Sequence, residues 1–144
     1  MAIRTVQYLE PTPESGRRFF GGNIQGEVIM LNLLRFRAWA DYSGFPAAMP
    51  ATPISGEQAF DLYIALALPC FEKTGGDLIL LGKSDHFLIG PFDERWDRVM
   101  LIKQKNKEAM LSIMNDAEYT SSLVHRTAAL EDSRLLPMVD LKHS

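Results

Sequence analysis

Cysteine is all but missing from this chain. Cys70 stands alone, so no disulfide can close within one copy and no zinc-type pair of thiols exists. It sits in an apolar helical stretch between Pro69 and Phe71, where an inert buried thiol is the expectation. Histidine is scarce too. His86, His125 and His143 are not spaced for one helix face or one short strand, and no Glu-x-x-His pattern occurs, so no metal site is expected. No apolar run approaches the roughly 20 residues of a membrane span. The first residues, mixed and proline-bearing, lack a signal-peptide pattern, which leaves a cytoplasmic protein without membrane contact as the expectation. A basic excess is also lacking. The formal net charge of −3 and the pI near 5.6 argue against a nucleic-acid surface. Gly21-Gly22 and Gly75-Gly76 lack the third glycine or the Gly-Lys of phosphate-binding loops, and there is no Gly-x-Ser-x-Gly elbow; no cofactor is expected.

What is present suits one domain with a real core: 144 residues, 47% of them hydrophobic and 23% charged. Residues 1–26 read as an N-terminal extension. Its turn chemistry lies at Leu9–Glu14 and Gly21–Asn23, with a short helical turn at Arg17–Phe20 capped by the Glu14/Ser15 region. The domain proper covers 27–141. Glu27–Arg35 is a strand whose faces, Val28/Met30/Asn32/Leu34 and Ile29/Leu31/Leu33/Arg35, are both mostly apolar. A loop insertion follows at 38–54, rich in proline and long enough to suggest a function. Ser55 and Gln58 form a capping box, opening a helix with a stripe at Phe60, Tyr63/Ile64, Ala67 and Phe71. Pro69 is expected to kink it or end its regular part, and Gly75-Gly76 to close it.

Asp77–Leu81 and His86–Gly90 read as one interrupted strand or two short ones, and Trp96–Lys103 as the next. Asn106 caps a helix, a further helical segment runs from Asp116 to Leu130, and Arg134–Leu141 is the last strand, in which Pro137 suggests an edge position or a bulge. The order β-α-β-β-α-β predicts an α+β, ferredoxin-like fold, a four-stranded antiparallel sheet with helices on one face. Strands apolar on both faces then need a second cover, and a homodimer pairing sheet to sheet supplies it.

The residues carry a resemblance. Gly75-Gly76, Gly82, Ile89-Gly90, Trp96-Asp97-Arg98-Val99, Glu118-Tyr119 and Arg126, in that order and spacing over about 27–140, resemble the domain-of-unknown-function family 1330 of the dimeric α/β-barrel superfamily. Met30–Arg37, Ala129–Arg134 and Leu136-Pro137 are similar to a longer branch of it. The resemblance implies the fold and a dimer, and no particular reaction, since the superfamily hosts oxygenases, isomerases, haem enzymes and ligand sensors.

Candidate ligand-binding residues are Asn32, Tyr42, Tyr63, Trp96 and Arg98. Asn32 either orients a ligand from an apolar wall or pairs with a neighbouring backbone or with Trp96. Trp96 and Arg98 are read as sharing one strand face. Arg98 either clamps a carboxylate or phenolate against Trp96 or forms an ion pair with Asp97 or Glu94. Tyr63 lies on the helix stripe, with core packing as its default, and Tyr42 lies in the loop that would act as a lid. Tyr119 is expected to cap the helix break, and Arg126 to tie the last helix to the Glu131/Asp132 turn. His125 is the one residue positioned to hold a haem. Two functions stay open. One is a small-molecule-binding homodimer, with catalytic residues unassigned, that carries out a cofactor-free monooxygenase- or isomerase-like reaction on a small aromatic or lactone-like compound. The other is a non-catalytic sensor or dimeric interaction protein, with haem binding a weaker third.

Overall fold

The structure, a computed structural model, describes residues 6–142; His143 and the first five residues of the extension lie outside them. Its elements are α1 (Pro13–Phe20), β1 (Val28–Phe36), α2 (Gly56–Lys73), β2 (Asp77–Lys83), β3 (Arg98–Gln104), α3 (Lys107–Met114), α4 (Ala117–Ala129) and β4 (Leu130–Met138). All strand pairs are antiparallel, in the order β2-β3-β1-β4. That is the ferredoxin-like arrangement expected from the element order. Among the described residues no helix is long and apolar enough to cross a membrane.

Alternation builds the two layers. Val28, Met30, Asn32, Leu34 and Phe36 of β1 are buried, and Met100 and Ile102 lie beside them on β3. Over that face, α2 lays Ala59, Phe60, Tyr63, Ala67 and Phe71, and α4 adds Ala128 and Ala129. Each large apolar side chain buried there contributes about 1.5–3 kcal/mol. The other face carries Ile29, Leu31 and Leu33, with Val99, Leu101 and Leu136 in register beside them. None of α2, α3 and α4 lies over it, and Leu80 and Leu136 are exposed there.

The helix ends follow local chemistry. Ser55 and Gln58 form the expected capping box on α2. Its C-terminus closes in a Schellman motif: Gly76 N–H donates to Phe71 O at 2.8 Å and Gly75 N–H to Glu72 O at 3.1 Å, with Gly75 at φ +86°. At the other end Gly56 threads between backbones; a Cβ there would sit 2.2 Å from Arg37 O and 2.6 Å from Ala129 O. Asn106 and Asp116 cap α3 and α4. The loop from Arg37 to Ser55 has one 3₁₀ turn, Pro46–Ala48, and is pinned by Ala40 N–H to Ile54 O and Asp41 N–H to Ala128 O.

Several boundaries differ from the sequence reading. In the extension, α1 begins at Pro13, with Thr12 as its cap and Ser15 completing the box, because proline at the first helical position needs no N–H partner. Pro69 does not end α2, which runs on to Lys73 with Cys70 and Phe71 buried beyond it. The stretch His86–Gly90 is not a strand. Ser84 N–H donates to Asp97 O and Trp96 N–H to Asp85 O, and an isolated His86–Arg95 bridge follows. Beyond that bridge the chain has no strand to pair with. β3 accordingly starts at Arg98. β4 starts at Leu130, directly out of α4, since Phe36 pairs with Leu130 and Ala129 O accepts from Arg37 N–H. Pro137 does lie in an edge strand.

Candidate functional site

The five candidate residues do not converge on one place. Asn32 is buried and donates from Nδ2 to Met30 O (3.2 Å) and Met100 O (3.4 Å), so its amide is spent on the sheet's own carbonyls. Tyr63 is packed in the core, its hydroxyl 3.2 Å from that of Tyr119. Burial, and then Tyr119, push the Tyr63 phenol well above its usual range. Tyr119 packs its ring on Phe71 as well. Tyr42, buried at the start of the long loop, holds its hydroxyl 2.7 Å from His125 Nδ1. Burial raises the Tyr42 phenol and lowers the His125 imidazole, so this pair is neutral near pH 7.

Trp96 and Arg98 do not share a face. Trp96 is buried between two guanidinium groups, Arg35 at 5.1 Å and Arg134 at 5.0 Å from its ring centroid, and Arg134 also covers Tyr8 at 4.7 Å. Both arginines belong to the open side of the sheet, since they alternate with Leu34 and Ser133 facing the helices. Asp132 joins them. It accepts from Arg134 at 2.9 Å, Arg35 at 3.3 Å, Tyr8 N–H at 2.8 Å and Ser133 N–H at 2.9 Å. Burial alone would raise this carboxyl, but the hydrogen bonds from Tyr8, Arg134 and Ser133 hold it below its usual value. The sequence reading gave Asp132 to a turn held by Arg126. Arg126 instead donates to Leu9 O and Ser133 Oγ, because β4 begins before that turn could form. The signal for the cluster was Arg35, a charge closing an apolar strand face and so needing an acid.

Arg98 turns the other way, toward α2. Nη1 lies 2.8 Å from Asp61 Oδ1 and Nη2 3.2 Å from Glu57 Oε2, while the guanidinium covers Phe36 at 5.0 Å and Phe60 at 5.9 Å. Asp97 and Glu94 are therefore not its partners; Asp97 pairs with Arg95 and accepts from Phe36 N–H. Glu57 and Asp61, four residues apart, share one helix face, a spacing visible in the sequence. Arg98 forms part of the wall of an open cleft of about 240 Å³ lined by Glu57, Leu81, Gly82, Lys83, Asp97 and Arg98. The side chain of Arg98 is only 13% exposed, whereas those of Glu57 and Asp61 are 60% and 59% exposed. A guanidinium packed on aromatic rings and held by two exposed carboxylates can exchange one of them for an incoming anion without unfolding anything. Lys83 brings a second positive charge to the same cleft.

Cys70 is buried, as expected, and burial raises its thiol. Ligand atoms of Cys70, Asp116 and Glu118 lie within 4.8 Å of one another, but Lys73 already pairs with Asp116 at 3.3 Å.

No protein-family model matches the chain, and no curated protein matches it. Among solved structures it is similar to RPA0582, a protein of unknown function from Rhodopseudomonas palustris, at 32% identity and a TM-score of 0.83 over 94% of this chain and 98% of that one. A structure of the methylated RPA0582 protein gives 31% identity and a TM-score of 0.84 over 95% and 97%. A dabb family protein with a ferredoxin-like fold from Mesorhizobium loti shares 8% identity, with a TM-score of 0.47 over 81% of this chain and 99% of its own.

Proposed function

The chain belongs to the family of the Rhodopseudomonas palustris protein RPA0582, and from that premise we propose that it works as a homodimer binding a small anionic molecule at the Arg98 cleft. One observation carries the binding reading: a nearly buried guanidinium at an open cleft, held by two exposed carboxylates, with Lys83 beside it. A carboxylate or phenolate displacing Glu57 would meet both cations, with the Phe36 and Phe60 rings behind the guanidinium. The homodimer is supported by the open sheet face, whose apolar residues need cover in water. Kinship with the domain-of-unknown-function family 1330 belongs to this proposal, on the order of motifs from Gly75-Gly76 to Arg126.

A non-catalytic binder or sensor is the second reading, favoured by the ion pairs that already engage both carboxylates lining the cleft, Glu57 with Arg98 and Asp97 with Arg95. The cofactor-free monooxygenase- or isomerase-like reaction on an aromatic or lactone-like compound, and haem on His125, rest on less.

Native mass spectrometry of freshly purified wild type and Arg98→Met tests the proposal. A wild-type dimer carrying a discrete extra mass, lost on denaturation and absent from the variant, is the expected result. An extra mass kept by Arg98→Met moves the site elsewhere, and a bare monomer removes both halves of the reading.

A further inference from the structure

The ribbon that continues β2 and β3 beyond the sheet ends in side chains that nothing covers. Leu88 is 99% exposed, Ile89 91% and Phe92 96%. The ribbon is braced. Its arms are joined by the Ser84–Asp97 and Trp96–Asp85 backbone bonds and by the His86–Arg95 bridge. The tip itself is folded tightly: a Cβ at Gly90 would fall 2.7 Å from the Phe87 ring. Three bare apolar side chains held out on a stalk form a contact surface waiting for a partner.

The chemistry around the tip selects that partner. Asp85 faces His86 and Arg95 is turned to Asp97, which leaves Asp93 and Glu94 as the acids beside the tip, and acids beside an apolar point are repelled by an anionic lipid surface. A second copy of the chain offers the opposite. Its open sheet face is apolar through Leu31, Leu33, Val99 and Leu101, and it carries Arg134, in register with Leu33 and partly exposed. Apolar tip meets apolar face, and the acidic flank meets the exposed part of Arg134, whose guanidinium Asp132 also holds.

We infer that the 87–92 tip of each copy seats on the open sheet face of a second copy near Arg134, so that the contact occurs twice about a two-fold axis. This rests on the homodimer proposed above and gives it a second contact besides the face-to-face packing.

Sedimentation equilibrium of wild type and of the combined variant Leu88→Ser, Ile89→Ser, Phe92→Ser tests the inference. The replaced side chains touch little of their own copy, so the variant keeps its far-ultraviolet circular dichroism and its monomer fold. The expected result is a wild-type dimer and a variant dissociation constant raised at least ~10-fold. An unchanged dissociation constant overturns the tip contact and leaves the homodimer standing, whereas a monomeric wild type overturns both. A wild type that co-sediments with phosphatidylcholine vesicles, and a variant that does not, gives the tip to a membrane and overturns the second copy as its occupant. A photo-reactive side chain at position 92 is expected to crosslink to residues 28–36 or 130–138 of the other copy. Tip-to-tip crosslinks alone would overturn the placement.

Discussion

His125 gives the fold one response to mild acid. Burial lowers its pKa below the ordinary 6.5, so the unfolded chain takes up a proton that the folded chain resists. The contribution is complete above about pH 6.5 and is lost as the pH falls through and below it. Thermal melts at pH 7.5 and 5.5 are expected to show a lower midpoint at 5.5, and His125→Asn is expected to shrink that difference. An equal drop in the variant would place the sensitivity elsewhere. Sequence reasoning worked unevenly at this scale. It gave Asn32 both of its readings, and the structure displays the backbone pairing. It placed Tyr63 on the core stripe, where it lies. It missed the partners of Arg98 because they come from a helix some forty residues away, whereas Asp97 and Glu94 were neighbours only along the chain. Nothing near Tyr42 in sequence announced His125 either.

At the scale of elements, the end of α2 that meets β1 and α4 is the most demanding junction. Gly56 lies where a methyl group would strike the carbonyls of Arg37 and Ala129. Gly56→Ala is expected to destabilise the fold by about 3 kcal/mol, since backbone rather than a flexible side chain has to yield. Gly75→Ala, which only forces a residue with a Cβ into the left-handed region, is expected to cost about 1 kcal/mol. Urea unfolding of the two variants, with m unchanged, measures both; equal losses would refute the junction argument. The elements themselves were legible where the signal was local. The Ser55–Gln58 box, the Asn106 and Asp116 caps and the alternation of β1 all act within a few residues. The ends of β2 and β4 were not legible, because a strand stops where its partner stops. Phe36 pairing with Leu130 is what starts β4, and no property of residues 130–133 alone announces it.

At the scale of the whole molecule, the strand order followed from the element order, since β-α-β-β-α-β with antiparallel neighbours admits few arrangements. The two-sided hydrophobicity of β1 points to the uncovered face from the sequence alone. Leu101 stands in the middle of that face, opposite Leu31 on one side and Leu80 on the other. Leu101→Lys is expected to raise the dissociation constant of the proposed homodimer by roughly 100-fold while leaving the melting of the single copy within about 1 kcal/mol. Size-exclusion chromatography with light scattering across a dilution series reads the first, and thermal melts at low concentration the second. A variant as dimeric as wild type would show that the face is not where the copies meet. The two margins of the sheet have their own consequence. On β4, Pro137 offers no N–H, and Asp132 and Ser133 are latched to the backbone of Tyr8. On β2, the register shift between Leu78 and Leu80 bends the outer edge, and Asp77 and Lys83 put a charge at each end. Neither margin is a good template for a further strand, so growth of a continuous sheet into fibres is discouraged at both edges, and the proposed association through the faces would stop at a closed, countable particle.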